Sequence, residues 1–265
     1  MRKIIISLAP VAASTPVDAA QLARDAACSV TAGAAMCHLH CRRPDGRLTP
    51  DITYMAECFD RIREHTDVIV QASTGGVSDM TIEERCRPLD YIRTESASLN
   101  AGTTNLGEAV YLNSPEDIRY CTRLVSERGI LPEIEVFDIG MIHNMERIAA
   151  EIPLREPLLF NLVFGHKGGM QPTIEALTAF RSFIPGHAIW GVTHFGRRDW
   201  HFLAAAIAMG ASVVRIGFED SNYLGPGQTA EYNWQLVEKL AALIRAMDFA
   251  PASPRDAREI LGLQT

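Results

Sequence analysis

Short apolar runs alternate with longer amphipathic stretches along the whole chain of 265 residues. Apolar runs rich in β-branched residues are typical of buried strands, and apolar positions that recur every three or four residues are typical of helices. The pattern predicts strands at residues 3–9, 36–41, 68–73, 96–100, 133–137, 158–164, 188–193 and 212–218. It predicts helices at residues 16–32, 54–65, 82–92, 115–128, 173–183, 201–209 and 231–247, and a short capped helix in the C-terminal "SPRDAREILG".

Repeated strand-then-helix units imply parallel strands joined by right-handed crossovers. Eight such units in about 250 residues are typical of an α/β fold of the (β/α)₈ type, the TIM barrel. An open doubly wound sheet is the alternative, but no G-x-G-x-x-G motif follows the first strand. Since no linker divides the chain, we expect one barrel domain over residues 1–265, with its active site at the carboxyl ends of the strands.

Composition narrows the class of partner. The formal net charge of −7 argues against nucleic acid or an anionic membrane surface and favours a small molecule. No apolar run approaches the roughly 20 residues that span a bilayer, and Pro10 interrupts the short N-terminal run. We therefore expect a cytoplasmic protein whose six cysteines are reduced thiols.

The second predicted strand contains "CHLHC", with two histidines two residues apart. Because side chains alternate along a strand, His38 and His40 share one face, while Cys37, Leu39 and Cys41 share the other. The histidines can therefore belong to a metal site that excludes both cysteines. On these residues alone, structural histidines with ordinary hydrogen bonds explain the pattern equally well.

The last predicted strand ends in "RIGFED" and offers a third ligand. Closure of a barrel places this strand beside the first and near the second, so Glu219 could complete a His₂Glu set, which is a pattern of catalytic zinc sites. The alternative is that Arg215 and Glu219 form an ion pair within the barrel while Asp220 caps the next loop.

Polar residues also follow the other strands. The segments "STGG" and "LNAGTTNLG" combine hydroxyl groups with glycines that let a backbone approach an anion, although simple turns would explain them too. Glu133 and Glu135 interrupt an apolar strand, so at least one of them should face the barrel interior with a cationic or protonated partner. The basic residues after the sixth and seventh strands suggest a phosphate-bearing cosubstrate, with a solvated rim as the alternative; they include His166, Lys167 and Arg197.

In combination these segments resemble the β-keto acid cleavage enzymes, whose founding activity is 3-keto-5-aminohexanoate cleavage. The likeness covers "HLHCR", "STGG", "LNAGTTNLG", "PEIEVFDIGM", "GGM" and "RIGFED", in that order along nearly the whole chain. The resemblance implies a metal-dependent (β/α)₈ enzyme, usually with zinc and usually a homotetramer. Such an enzyme condenses a β-keto acid with acetyl-CoA to give acetoacetate and a new acyl-CoA.

The resemblance also implies roles for individual residues. The zinc ligands would be His38, His40 and Glu219, and the catalytic pair would be Arg215 and Asp220, with Asp220 as the general base. The groups around the substrate carboxylate would be Ser73, Gly75, Gly76, Thr103 and Asn105. Two imidazoles and a carboxylate also suit manganese, cobalt or iron, so the metal's identity stays open.

The chain departs from the family pattern where the substrate tail would bind. The founding member holds an ammonium group with two acidic residues, and here Ser14 stands in place of the first while Asp138 retains the second. His166 and Lys167 replace an apolar residue and a proline, which we interpret as added positive potential beside CoA or the substrate. We therefore hypothesise a neutral, hydroxylated or acidic β-keto acid as the substrate.

Two other functions remain open at this point. The first is a different zinc-dependent barrel enzyme, an aldolase or hydrolase, which would share the three ligands but not use CoA. The second is a non-catalytic binding barrel in which the polar strand ends are structural. If the two histidines bind a metal, replacing both Cys37 and Cys41 with alanine should leave the metal content nearly intact.

Overall fold

The computed structural model describes residues 1–264. Its main sheet contains β1 (Lys3–Leu8), β2 (Ala34–Leu39), β3 (Ile69–Ala72), β4 (Ser96–Asn100), β7 (Leu131–Val136), β8 (Leu159–Phe164), β9 (Ile189–His194) and β10 (Val213–Ile216). All of these strands are parallel, and each pairs with the next. Strand β10 pairs in turn with β1, which closes the sheet and confirms the predicted (β/α)₈ barrel.

Helices connect the strands outside the barrel, and one further helix follows the last strand. They are α1 (Ala19–Ala32), α2 (Thr53–Arg63), α3 (Ile82–Arg85), α4 (Pro115–Glu127), α5 (Ile139–Glu151), α6 (Ile174–Phe183), α7 (His201–Ala208), α8 (Asn233–Ala246) and α9 (Pro254–Leu261). Capping boxes begin α4 at Ser114 and α9 at Ser253. Helix α3 is shorter than predicted and gives way to a 3₁₀ turn at Arg87–Asp90, because Pro88 cannot donate a helical hydrogen bond.

Shorter strands, which the sequence pattern does not predict, lie outside the eight-stranded wall. Strands β5 (Thr104–Leu106) and β6 (Ala109–Tyr111) form a hairpin after β4. Strands β11 (Tyr223–Gly225) and β12 (Gln228–Thr229) form a second hairpin after β10. Both hairpins therefore follow the carboxyl ends of barrel strands, the end at which active sites are built. Strand β13 (Ala250–Pro251) pairs with β1 beside the barrel.

The barrel interior has an apolar lower layer and a polar upper layer. The lower layer contains Ile5, Met36, Ile69, Leu131, Leu159 and Val213, and Ala257 and Leu261 of α9 pack against it. The terminal helix therefore closes the amino-terminal end of the barrel. Buried polar residues occupy the strands above this layer, among them Ser7, His38, Gln71, Glu133, Asn161, Thr193 and Arg215. Among residues 1–264, no helix is long and apolar enough to cross a membrane.

Candidate active site

The three residues expected to bind metal lie together at the carboxyl end of the barrel. His40 Nε2 lies 3.3 Å from Glu219 Oε1, and His38 Nε2 lies 3.9 Å from the same oxygen. One ligand atom from each residue falls within 4.8 Å of the others. Ligands of tetrahedral zinc, at about 2.0–2.2 Å from the metal, lie roughly 3.3–3.6 Å apart. The three side chains therefore fit a divalent cation without rearrangement of the backbone.

Each histidine is oriented by a hydrogen bond to its other ring nitrogen. His38 Nδ1 lies 2.8 Å from Oε1 of Gln71, and His40 Nδ1 lies 3.1 Å from the carbonyl oxygen of Gly75. Because each acceptor occupies Nδ1, the Nε2 atom of each ring faces Glu219. This Nε2 is the nitrogen that a metal would use. Burial lowers the pKa of His38 to about 3, which keeps this ring in the neutral form that ligation requires.

A glycine sets the direction of the third ligand. Gly217, directly after β10, has φ of +146°, and a Cβ atom there would lie 2.1 Å from the carbonyl oxygen of Ala9. Only glycine tolerates both the conformation and the contact. The chain then turns, and the Glu219 N–H donates to the same carbonyl of Ala9. This turn ends β10 two residues earlier than predicted and places Glu219 and Asp220 side by side.

Arg215 lies at the centre of an acidic cluster next to the histidines. It donates two hydrogen bonds to Asp220, Nη2 to Oδ1 at 2.6 Å and Nε to Oδ2 at 3.0 Å. It also lies 3.2 Å from Glu219 and 3.6 Å from Glu135. The ion pair proposed as an alternative to the ligand set is therefore present together with it. Even with Glu135 protonated, the two remaining carboxylates around one guanidinium leave surplus negative charge, which suits a divalent cation.

The acids of this cluster differ in their protonation. Burial acts to raise the pKa of Glu219, but the neighbouring His40, Arg215 and His38 hold that pKa well below its ordinary value. Burial raises the pKa of Asp220, although the Arg215 charge acts in the opposite direction. Burial also raises the pKa of Glu135 to about 8. The site thus combines one strongly acidic carboxylate with two that accept protons more readily.

A chain of buried side chains below His38 is not predicted from the sequence. Gln71 Nε2 donates to Glu133 Oε2 at 3.0 Å, and Asn161 Nδ2 donates to Glu133 Oε1 at 2.7 Å. Thr193 Oγ1 donates to Asn161 Oδ1 at 3.0 Å. Burial raises the pKa of Glu133, while the Gln71 hydrogen bond and the Arg215 charge oppose that rise. In the sequence, Gln71 and Asn161 can be singled out only because each is the one amide within an apolar run, "VIVQA" and "LLFNLVF".

The "STGG" loop after β3 shapes the site as well as lining it. Ser73 Oγ accepts a hydrogen bond from the Gly75 N–H, and the Gly75 carbonyl is the one that orients His40. A Cβ atom on Gly75 would lie 2.0 Å from the Tyr111 hydroxyl oxygen, and Gly76 has φ of +128°. The two glycines are therefore required for the backbone to pass between His40 and the β5–β6 hairpin.

The remaining residues expected around the substrate do not share one cavity. Thr103, Asn105 and Asp138 line a cavity of about 650 Å³ near the loop after β8. The Thr103 hydroxyl is bound to the backbone of Asn113, as donor and as acceptor, and Asp138 caps α5 through the Gly140 N–H. Ser14 is exposed in the loop after β1. Its neighbours Ala13 and Thr15 line a second cavity of about 910 Å³, which Glu219 and Asp220 also line.

The three residues expected near CoA occupy different environments. The His166 ring stacks on Phe195 at 4.0 Å, and burial lowers the pKa of His166 to about 4, so this residue does not add the expected positive charge at neutral pH. Lys167 is exposed. Arg197 is only 2% exposed, with its guanidinium 4.0 Å from the ring centre of Trp200. Of the three, only Lys167 presents a charge at the surface that a CoA phosphate could reach directly.

The cysteines of the "CHLHC" segment lie behind the ligands, as the alternation of the strand predicts. Cys37 and Cys41 belong to the apolar cluster between the barrel wall and the helices. Burial raises the pKa of Cys41 to about 11 and raises that of Cys37 further. Cys28, on α1, is exposed and lines the larger cavity.

The chain is similar over nearly its whole length to known proteins. A family model described as beta-keto acid cleavage enzyme matches residues 5–263. The chain is 36% identical over 274 residues to a 3-keto-5-aminohexanoate cleavage enzyme from Fusobacterium nucleatum, covering 100% of this chain and 99% of the relative. It is 30% identical to a 3,5-dioxohexanoate:acetyl-CoA acetone transferase from Paraburkholderia graminis, covering 99% of this chain and 96% of the relative.

A solved structure supports the fold. The ternary complex of ObcA with C4-CoA adduct and oxalate superposes with a TM-score of 0.77 at 18% identity, covering 94% of this chain and 68% of that chain. At that identity the likeness shows the barrel alone. The family match spans nearly every residue, and it includes the strand ends at which the histidines, Glu219, Arg215 and Asp220 meet. This chain belongs to the beta-keto acid cleavage enzyme family.

Proposed function

We propose that this enzyme transfers an acyl group from a β-keto acid to CoA, using acetyl-CoA as the second substrate. The products are acetoacetate and a new acyl-CoA. The observation that carries the proposal is that a His₂Glu set and an Arg–Asp pair adjoin each other at the barrel mouth in a chain of this family. The cavity of about 910 Å³ beside Glu219 and Asp220 is large enough for a small keto acid and the reactive end of a thioester.

Asp220 is the proposed general base. It is 6% exposed and fixed by two hydrogen bonds from Arg215, so its carboxylate cannot rotate freely. Its raised pKa favours accepting the proton from C2 of the keto acid. Arg215 keeps the carboxylate oriented and balances its charge before the transfer. The same carboxyl group then returns a proton to C2 of the acetoacetate that leaves.

The bond changes balance without an oxidant or an additional nucleophile from the protein. C2 of the keto acid attacks the acetyl carbonyl carbon, so a C–C bond forms and the C–S bond of acetyl-CoA breaks. The released CoA sulfur then attacks the original 3-keto carbon, and the C2–C3 bond breaks. None of the cysteines is required, which agrees with the placement of Cys37 and Cys41 behind the strand.

A divalent metal, proposed to be zinc, would be held by His38, His40 and Glu219. When bound there, it supplies Lewis-acid polarisation of the 3-keto oxygen. The chain's own contribution is to present two imidazoles, each with its Nδ1 already hydrogen-bonded, and one carboxylate whose pKa is held low. Ser73 is 4% exposed and supports the loop that orients His40, and its hydroxyl is proposed to bind the substrate carboxylate.

The proposed substrate class is a neutral, hydroxylated or acidic β-keto acid. Ser14 does not supply the acid that would bind an ammonium group. The carboxylates of Asp18 and Asp25, which line the larger cavity, already have partners: Asp18 caps α1, and Asp25 accepts from Asn233. The Paraburkholderia relative is named for a substrate with a second keto group, which belongs to the proposed class, whereas the Fusobacterium relative is named for an aminated one.

Isotope labelling tests the reaction. The purified enzyme is supplied with doubly ¹³C-labelled acetyl-CoA and an unlabelled β-keto acid, and the products are analysed by mass spectrometry. We expect labelled acetoacetate and unlabelled acyl-CoA. Release of the free acid without acyl-CoA would instead support a hydrolase or aldolase, and absence of turnover on every substrate would support a binding barrel.

The substrate class is tested separately with keto acids of matched chain length carrying a hydroxyl, a carboxylate or an amine at the tail. We expect kcat/KM for the best hydroxylated or acidic compound to exceed that for the amine. A strong preference for the amine would contradict the proposed class while leaving the reaction type intact.

A further inference from the structure

The two metal-binding histidines are oriented in different ways. His40 Nδ1 faces a backbone carbonyl, that of Gly75, which can only accept a hydrogen bond. His38 Nδ1 faces Gln71, whose side-chain amide can present either an oxygen or an NH₂ group. If the amide were reversed, His38 would carry its proton on Nε2 and could not donate a lone pair to a metal. Something must therefore fix which way the Gln71 amide points.

Glu133 supplies that constraint. Its two oxygens accept from two separate amides, Oε2 from Gln71 Nε2 at 3.0 Å and Oε1 from Asn161 Nδ2 at 2.7 Å. The two amide donors and the Arg215 charge favour the ionised form of Glu133 against the effect of burial, and an ionised carboxylate has no proton to donate, so the NH₂ group of Gln71 faces it. The second N–H of that group meets Ser96 Oγ at 3.1 Å. The Gln71 oxygen is then left for His38 as the only remaining possibility.

The far end of this chain of side chains is also closed. Asn161 Oδ1 accepts from Thr193 Oγ1 at 3.0 Å, and because a hydroxyl can serve either amide group, it is the Glu133 carboxylate that sets the orientation of the Asn161 amide as well. His38, Gln71, Glu133, Asn161 and Thr193 are each 3% exposed or less. Water therefore does not compete for these hydrogen bonds, and each side chain depends on its neighbours for a partner.

We infer that Gln71 and Glu133 are positioning residues for the metal site, which act by fixing the Nδ1–H tautomer of His38 so that its Nε2 faces Glu219. The inference rests on the metal site proposed above. It assigns no contact with the substrate to either residue. It explains why an acid is buried in the middle of an apolar strand, because an amide at position 133 could face Gln71 with either group.

The test compares Gln71→Met with the exchange variant Q71E/E133Q. Methionine matches the size of glutamine but neither accepts from His38 nor donates to Glu133. In the exchange variant the two roles are reversed: the carboxylate at position 71 accepts from His38, and the amide at position 133 donates to that carboxylate. Ser7→Ala is the matched control, since Ser7 is equally buried in the barrel but its hydroxyl has no partner among the described side chains.

Metal affinity is the first readout, measured by titrating the metal-free protein with Co²⁺ against a competing chelator. We expect Q71M to weaken binding by about 10–100-fold, which is the usual effect of losing the partner of a ligating histidine. S7A should leave the affinity close to that of the natural protein, and the exchange variant should recover most of the loss. Affinity unchanged in Q71M, or an exchange variant as weak as Q71M, would overturn the inference.

The tautomer is the second readout and does not require metal. Long-range ¹H–¹⁵N spectra of histidine-labelled, metal-free protein distinguish Nδ1–H from Nε2–H rings, and His38→Gln identifies the signal. We expect His38 to carry its proton on Nδ1 in the natural protein and in the exchange variant, and to lose that preference in Q71M. If the natural protein bound no Co²⁺ but its variants showed these His38 tautomers, the proposed metal site would be refuted, while the role of Gln71 and Glu133 in fixing the tautomer would stand. A His38 ring found as Nε2–H in the natural protein would refute the inference itself.

Discussion

Two buried arginines lie at opposite ends of the barrel, Arg215 at the mouth and Arg258 at the end closed by α9. Arg215 is 7% exposed and contacts Glu135, Glu219 and Asp220 at 2.6–3.6 Å. No second guanidinium contacts these carboxylates among the described residues. The mouth therefore holds three acidic side chains around one guanidinium group.

The closed end has the opposite balance. Arg258 is 5% exposed and contacts Glu95 and Asp67. Arg63 contacts the same two acids, at 3.0 and 3.6 Å. Two guanidinium groups thus face two carboxylates, and the ion pairs join α9 to α2 and to the segments before β3 and β4.

The comparison separates a structural cluster from a functional one by charge balance. A balanced network needs nothing further and ties elements of the fold together. An unbalanced one retains charge in a site shielded from water, and a bound cation or a proton is needed to neutralise it. Burial of an arginine alone would not distinguish the two ends.

The largest expected effect is on catalysis at the mouth. Asp220→Asn keeps a partner for Arg215 but removes the proposed base, and we expect kcat to fall by about 10²–10⁴-fold, the usual contribution of a general base. Acyl-CoA formation and metal content are both measured. A variant that keeps its metal and most of its activity would show that Asp220 is not the base.

The next largest effect concerns the metal. Glu219→Gln removes the charged ligand, and we expect the metal affinity to fall by more than the roughly 10–100-fold cost of losing an outer hydrogen-bond partner. Glu95→Gln is the matched change at the closed end, and it should leave the affinity unaltered. Equal losses in both variants would mean that the metal responds to general destabilisation rather than to the ligand.

A change at the closed end of the barrel should affect the free energy of unfolding. Arg258→Met removes hydrogen bonds to Glu95 and Asp67, and hydrogen bonds to charged groups contribute about 1.5–3 kcal/mol each. Because Asp67 is largely exposed, we expect a loss of about 2 kcal/mol in the free energy of unfolding, measured with urea. The kcat of the folded enzyme should not change. A fall in kcat at unchanged stability would contradict the structural role.

The smallest expected effect is a pH dependence at the closed end. Lys3 donates to Asp256 of α9, and this hydrogen bond, with those from Ser253, lowers the pKa of Asp256 to about 2. A carboxyl whose folded pKa is depressed stabilises the protein above its unfolded pKa and loses that effect as the pH falls through the folded value. The difference in urea midpoint between the natural protein and Lys3→Met should therefore be constant above about pH 5 and shrink between about pH 4 and pH 2. If the difference in urea midpoint did not shrink, the stabilisation by Lys3 would come from packing of its side chain and not from its charge.

Much of the mouth could be predicted from the sequence because strand alternation and barrel closure are general rules. They place His38 and His40 on one face and bring Glu219 near them across 179 residues of chain. The hairpins β5–β6 and β11–β12 could not be predicted, because strands of two or three residues carry no periodic signal. Helix α5 begins directly after its cap residue, Asp138, only two residues beyond the end of β7, so no loop composition in the sequence marks the change from strand to helix.

The partners of the predicted residues were harder to predict than the residues themselves. That Arg197 packs on Trp200 instead of reaching the surface depends on the path of the loop after β9, which the local sequence does not specify. The role of Gln71 depends on Glu133, which lies 62 positions away in sequence, and on Asn161 beyond it. Hydrogen-bond direction across several strands becomes visible only when the register of the sheet is known.

The distribution of thiols has a practical consequence for following ligands in solution. Among the described cysteines, Cys28 alone is exposed, and the raised pKa of Cys41 leaves it almost entirely protonated at neutral pH. A maleimide reagent should therefore attach a single fluorophore, on α1, without engineering of the other five cysteines. Because Cys28 lines the same cavity as Asp220, the emission of that dye would report directly on what enters it.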